Sequence, residues 1–134
     1  MGEILTMRAR FHLTLENWDD DIRLDSNLGG GVLNDIGCYP VNVLNYLIEE
    51  SPINIQAPRG KSTKEIDTHI AVQLSYPSGI LAQFDASFYG PMTQTIDCTN
   101  APTNRDHRTQ CSSILIERKR LNAQCYRRTK QICT

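Results

Sequence analysis

The chain has 134 residues, 40% hydrophobic and 22% charged, with a net charge of -1 and a mean hydropathy of -0.39. That make-up fits one soluble globular domain with a real core, and it excludes two comfortable domains. No apolar run approaches the roughly 18 residues of a membrane span, and the N-terminal MGEILTMRAR lacks the apolar stretch and small-residue cleavage site of a signal peptide, which predicts a cytoplasmic protein.

From Leu5 to Leu15 the odd positions are apolar (Leu5, Met7, Ala9, Phe11, Leu13, Leu15) and the even ones polar (Thr6, Arg8, Arg10, His12, Thr14). A period of two predicts a strand with one buried and one wet face, and it puts His12 on the wet one, solvated or paired across strands. The acidic stretch ENWDDDIRLDSN follows as a surface loop. Trp18 and Arg23 stand out in it, because an aromatic ring and a guanidinium on a loop are suited to lining a pocket.

Residues 32 to 48 carry Val32, Leu33, Ile36, Tyr39, Val43, Leu44, Leu47 and Ile48 at helical spacing, ended by Glu49, Glu50, Ser51 and Pro52. Three glycines, Gly29 to Gly31, lead in, and Gly37 and Pro40 fall inside. Pro40 costs roughly 3 kcal/mol within a helix and Gly37 up to about 1 kcal/mol against alanine. A helix selected for stability alone would hold neither, so a kink or late helix start is expected near Asp35 to Tyr39, with backbone left open beside a ligand.

A short strand is expected over Ile53, Ile55 and Ala57, then a loop from Pro58 to Glu65. Ile70, Val72, Leu74 and Tyr76 alternate, Pro77-Ser78-Gly79 supplies a turn, and Ile80, Ala82, Phe84, Ala86 and Phe88 alternate again, which is the pattern of a β-hairpin. A strand over Thr93 to Cys98 is expected to pair beside it. The fold class is therefore α+β: an open, mainly antiparallel sheet with one long helix packed on one face.

Charge breaks sharply after Asp97. Residues 1 to 97 hold 6 of the 14 Lys and Arg but 13 of the 15 Asp and Glu, a net of -7, whereas residues 98 to 134 hold the remainder and carry +6. Four of the five cysteines (Cys98, Cys111, Cys125, Cys133) lie after the break, without a C-x-x-C pair, so thiols packed or solvated are expected in preference to a zinc site with His107. The segment after Cys98 shows no period and reads as a poorly ordered basic tail, with at most a marginal helix from about Ser113 to Tyr126. Arg118, Lys119, Arg120, Arg127, Arg128 and Lys130 are of a kind that neutralises phosphates, yet Tyr126 alone is available for stacking, so the tail reads as solvated and nucleic acid is not the expected partner.

Gly29 and Gly31 form G-x-G, but Asn34 stands where the third glycine of a dinucleotide fingerprint belongs, and no buried parallel strand precedes it. Asp35 and Tyr39 are four apart, one above the other on a helix, with Gly37 removing a side chain between them. A carboxylate beside a phenol can orient and relay a proton to or from a substrate hydroxyl. The alternative is that Tyr39 packs in the core and Asp35 caps or pairs.

The ordered set of GEI, the loop holding Trp18 and Arg23, Leu28-Gly29-Gly30-Gly31, Asp35-Ile36-Gly37-Cys38-Tyr39, Tyr76-Pro77-Ser78-Gly79 and Ala86-Ser87-Phe88 resembles the C-terminal domain of the glucose-fructose oxidoreductase and inositol dehydrogenase (Gfo/Idh/MocA) family, over residues 2 to 97. The resemblance implies the substrate half of an oxidoreductase that moves a hydride between NAD or NADP and a sugar, polyol or dihydrodiol carbon. It implies Tyr39 as the catalytic acid/base, Asp35 as the group that contacts substrate or orients Tyr39, and homo-oligomers formed through the sheet. Tyrosine in place of histidine favours a sugar or cyclic diol over inositol. The family's nucleotide-binding half, with the lysine that brings a phenol's pKa of about 10 towards neutral, is outside residues 1 to 97, so no cofactor site is expected in this chain and no turnover by it alone. Residues 98 to 134 are expected to be unrelated sequence after a truncation or frame disruption. An interaction module without catalysis is the competing expectation, since Thr6, Arg8, Arg10 and His12 line one face as a polar dimer surface would.

Overall fold

Alternation becomes architecture first in β1 (Ile4–Thr14), whose Met7, Ala9, Phe11 and Leu13 are buried while Arg8, Arg10 and Thr14 are exposed and His12 is half-buried. The computed structural model describes residues 3–61, 65–101 and 111–115. After β1 come two short 3-10 turns (Ile22–Leu24 and Ser26–Leu28), a π-helical turn (Leu33–Gly37), α1 (Cys38–Ile48), β2 (Asn54–Gln56), β3 (Arg59–Lys61), β4 (Asp67–Ser75), β5 (Leu81–Ser87), β6 (Tyr89–Asn100) and β7 (Cys111–Leu115). The strands form one open sheet in the order β2-β4-β5-β1-β6-β7, with β3 also on β4. The α+β class stands, with the helical segment on one side of the sheet.

The hairpin is as its sequence predicts: β4 and β5 pair antiparallel with Val72 opposite Phe84, and Gly79 closes the turn at φ 87. Tyr76 N–H donates to the Ile80 carbonyl at 3.1 Å, and the Tyr76 ring is buried, which pushes its phenol up. The strand after the hairpin differs from expectation. β6 does not pair with β5, because β1 lies between them, parallel to β5 and antiparallel to β6. The chain crosses the end of β1 at Phe88, whose carbonyl accepts from Leu15 N–H at 3.3 Å, and Gly90 permits the close pass: a Cβ there would come within 3.1 Å of His12 Cβ. An eleven-residue strand with a clean apolar face gains more by offering both edges to neighbours than by standing at the border.

Two further corrections concern loops. The segment from Pro58 to Glu65 contains a strand, β3, which pairs with β4 at Arg59–Ile70. Ser113 to Leu115, the first residues of the marginal helix expected to Tyr126, belong to β7, where Ile114 registers with Ile96 of β6, and the remainder of that stretch lies outside the described residues. Backbone pairing to a strand already in place overrides weak local propensity. The basic residues Arg118 to Lys130 and His107 lie outside the described residues.

One face of the sheet holds the core. Met7, Ala9, Phe11, Ile70, Val72, Ala82, Phe84, Ala86 and Ile96 pack with Val32, Ile36, Leu44 and Ile48 of the helical segment. Each of the larger side chains, the alanines apart, contributes roughly 1.5–3 kcal/mol of burial, so this layer holds the segment in place without relying on the helix's own propensity. No helix among the described residues is long and apolar enough to cross a membrane.

Candidate active site

The late helix start is present, and its form is a widened turn. Residues 33 to 37 close as a π turn before the α-helix begins at Cys38, and Pro40 falls in the first turn of α1, where a missing N–H is tolerated. The Ile36 carbonyl, which Pro40 has no hydrogen to serve, accepts from Cys38 N–H instead. Cys38 Sγ lies 3.4 Å from the Asp35 carbonyl; burial, and then the Asp35 charge, push its thiol up.

The glycines ahead of this turn serve the protein's own packing. Gly29 is left-handed at φ 73 and ends the second 3-10 turn. A Cβ on Gly30 would meet the carbonyls of Arg23 and Asp25 at 2.6 and 2.7 Å, and Gly31, at φ +117, would drive one to 2.3 Å from Asp67 Oδ1. The space beside Gly30 and Gly31 is thus filled from within. Gly30 N–H donates to the Asp25 carbonyl and Gly31 N–H to the Arg23 carbonyl, both at 2.8 Å, which laces the acidic loop to the start of the helix. Asp67, at the head of β4, closes the arrangement by accepting from Leu33 N–H at 2.8 Å.

That lacing carries Arg23 to Asp35. Asp21 grips the guanidinium at two points, Oδ1 with Nε at 2.9 Å and Oδ2 with Nη2 at 2.7 Å, and also accepts from Arg23 N–H at 2.9 Å. Arg23 Nη1 stands 3.9 Å from Asp35 Oδ2. The hydrogen bonds from Arg23 hold the Asp21 carboxyl below the usual carboxylate range, and Asp21 in turn raises Arg23. Tyr39 is one turn beyond Asp35. Its ring stacks on Phe11 with centroids 6.1 Å apart and planes 15° apart, and the residue remains 39% exposed. Tyr39 is therefore not core, and the Asp35 side chain is 32% exposed, although its Oδ2, the oxygen turned to Arg23, is itself buried.

Trp18 is placed differently from the other three. Its indole, partly buried against the core, stacks on Tyr89 with centroids 4.7 Å apart, and His69 meets Tyr89 edge-on at 6.2 Å. Beside Arg23 runs an acidic cleft of about 430 Å³ lined by Asp19, Asp20, Asp21, Asp25 and their neighbours. A larger one of about 700 Å³ lies across the sheet's other face, with Arg8, Gln73, Gln83 and Asp97 in its wall.

The sequence reading missed Asp21 and Asp67. Asp21 had a signal, since an Asp two residues before an Arg at a 3-10 start is a local cap. Asp67 had none, because it is 34 residues from the amide it serves. A dinucleotide does not fit this glycine segment: the amide at the helix start already holds the Asp67 carboxylate where a pyrophosphate would have to sit. Among the described residues no group of three or more His, Cys, Asp or Glu is arranged to hold a metal ion.

Residues 1–105 match the model of the GFO/IDH/MocA C-terminal domain. A D-xylose 1-dehydrogenase (NADP(+)) of Haloferax volcanii is 32% identical over 96 residues, which is 70% of this chain and 29% of the relative. One of Haloarcula marismortui is 34% identical over 73 residues, 51% of this chain and 20% of the relative. The chain thus spans less than a third of the curated relatives it matches. Among solved structures, aldose-aldose oxidoreductase of Caulobacter crescentus, complexed with glycerol, superposes with a TM-score of 0.66 at 23% identity, covering 86% of this chain and 38% of that one. Levoglucosan dehydrogenase in complex with NADH and levoglucosan gives 0.65 at 14% identity, covering 86% and 40%. At such identities these two superpositions establish the fold, and with the family match over residues 1–105 they make the chain a member of the Gfo/Idh/MocA oxidoreductase family, carrying its C-terminal domain.

Proposed function

We propose that this domain is the substrate-binding half of an NAD(P)-dependent oxidoreductase acting on a CH–OH group of a sugar, polyol or dihydrodiol. Tyr39 holds or moves the proton of the reacting hydroxyl. Asp35, one turn away on the same helical segment, orients Tyr39 or the substrate. Arg23, tied to Asp35 at 3.9 Å, donates to a ring hydroxyl, and Trp18 walls the approach. The nicotinamide, which would take up the hydride, comes from a nucleotide-binding domain outside these residues. The chain alone does not turn over.

A single observation carries this reading: in a family-matched domain, a helix interrupted by a π turn presents a solvent-reachable phenol one turn from a carboxylate already paired with a guanidinium. The relatives' named substrates, D-xylose and levoglucosan, are neutral polyhydroxy compounds and support the substrate class. The test is an NMR titration of the 15N-labelled chain with D-xylose and levoglucosan. Saturable shifts at Asp35, Cys38 and Tyr39 are expected, together with no NAD(P)H consumption by the purified chain. Shifts confined to other surfaces would remove the site assignment, and turnover abolished by Tyr39→Phe would remove the claim of inactivity.

A second reading, an oligomerisation module, draws on the sheet face turned away from the helix. Arg10 pairs with Asp97 at 3.7 Å and His12 with Asp85 there, leaving a polar surface without a covering layer among the described residues. Light scattering after size exclusion tests it, and a strict monomer at high concentration ends it.

A further inference from the structure

We infer that Asp21 determines the charge preference of this site: by gripping Arg23 at two points it keeps the guanidinium from receiving an anion, so the site takes an uncharged polyhydroxy ligand and rejects carboxylated or phosphorylated ones. The inference rests on the substrate-binding reading above and adds a specificity residue to it.

An exposed arginine beside a sugar site is ordinarily an anion receptor, because its planar fork matches a carboxylate or phosphate edge. Here one edge of that fork, Nε with Nη2, is already filled by Asp21, at 2.9 and 2.7 Å. The remaining nitrogen, Nη1, faces Asp35 at 3.9 Å. One cation therefore stands between two carboxylates, and the cluster is net negative. Its surroundings add to this: between Glu16 and Asp35 the chain has Glu16, Asp19, Asp20, Asp21, Asp25 and Asp35 against Arg23 alone. Asp67 adds a further carboxylate at the helix start. An arriving anion finds the Nε–Nη2 edge filled and meets a negative field in front of the remaining N–H groups, while a neutral hydroxyl incurs no such electrostatic cost and still finds an N–H donor on Nη1 and an acceptor on Asp35.

Asp21 acts through Arg23, as a positioning residue, and does so without touching the ligand. Its own place is secure, since it also caps the 3-10 turn through Arg23 N–H. Removing its charge frees that edge of the fork and makes the surrounding field less negative by one charge at the same time.

The full chain, 15N-labelled, is titrated with sodium sulfate, D-xylonate and D-xylose at low salt while the Arg23 Nε–Hε resonance is followed. In the wild-type chain sulfate and D-xylonate leave that resonance unmoved; a saturable shift there overturns the proposal without any variant. Asp21→Asn is expected to bind both anions at least about fivefold more tightly than wild type, with the gain lost in high salt and absent in the Asp21→Asn/Arg23→Gln double variant. Asp21→Glu, which keeps the carboxylate, is expected to restore rejection; a merely structural role would give Asn and Glu variants the same behaviour. Anion binding by Asp21→Asn no tighter than wild type overturns the inference. The sulfate arm needs no sugar, so a chain that rejects anions yet ignores D-xylose counts against the substrate-binding reading and leaves the role of Asp21 standing.

Discussion

The two faces of the sheet are made by the same strands and differ in every physical respect. On the helix side Phe11 is buried and supports the Tyr39 ring; one residue later, His12 is on the other side and pairs with Asp85. The helix side is an apolar layer with a laced loop and a π turn at its margin. The other side is a ladder of polar and charged side chains with Arg10–Asp97 and His12–Asp85 bridging neighbouring strands. The contrast teaches where stability and chemistry reside: the apolar layer holds the helix, and the residues with chemistry sit where that layer meets solvent.

The strongest way to break this contrast is to empty the apolar layer. Phe84→Ala, at a buried position of β5, is expected to cost about 3–5 kcal/mol in urea unfolding. His12→Ala on the opposite face is expected to cost no more than about 1 kcal/mol. A larger loss at His12 than at Phe84 would reverse the assignment of the core. The next effect is at the helix start. Gly31→Ala meets both a positive φ and the Asp67 carboxylate, for an expected loss of about 1–3 kcal/mol, and Asp67→Ala, which leaves Leu33 N–H without its acceptor, about 0.5–2 kcal/mol. Thermal unfolding measures both, and faster hydrogen exchange at Leu33 is expected in the second.

The smallest effect is on pH dependence. Arg23 holds the Asp21 carboxyl below its ordinary value of about 3.9, so the folded state binds the proton less readily than the unfolded one. The stability from this pair is fully present above the unfolded value and is lost as pH falls below about 4 towards the lowered folded value. For a partly exposed pair it amounts to about 1 kcal/mol or less. Comparing wild type and Asp21→Asn in urea at pH 6 and at pH 3 reads it out: the difference between the two is expected to shrink at the lower pH, and a difference that grows contradicts the direction of the shift.

Much of this was legible because it is written locally. The alternation from Leu5 to Leu15, the hairpin around Pro77-Ser78-Gly79 and the helix-weakening Gly37 and Pro40 each announce one element or one irregularity, and each is found. The Asp35–Tyr39 spacing placed carboxylate and phenol on adjacent turns. The sequence reading paired Thr93 to Cys98 beside the hairpin, and β1 lies between instead, since alternation names a buried face and is silent about which edge meets which. The stacking of Trp18 on Tyr89 was not legible, because a loop's local composition does not say which way its ring turns. β3 and β7 went unseen, being five residues or fewer with no alternation of their own.

What the amino-acid sequence determined by itself is the longer elements, their wet and dry faces, the family and the break in charge after Asp97, all of which depend on residues within a few positions of one another or on their order along the chain. Tertiary structure alone decided that β1 would run parallel to β5 in mid-sheet, that Asp67 would reach across 34 residues to hold the helix start, and that Arg23 would arrive between Asp21 and Asp35. The β1–β5 pairing and the Asp67–Leu33 contact join segments distant in sequence, and their geometry follows from burying one apolar face against another, a global condition that no local pattern encodes.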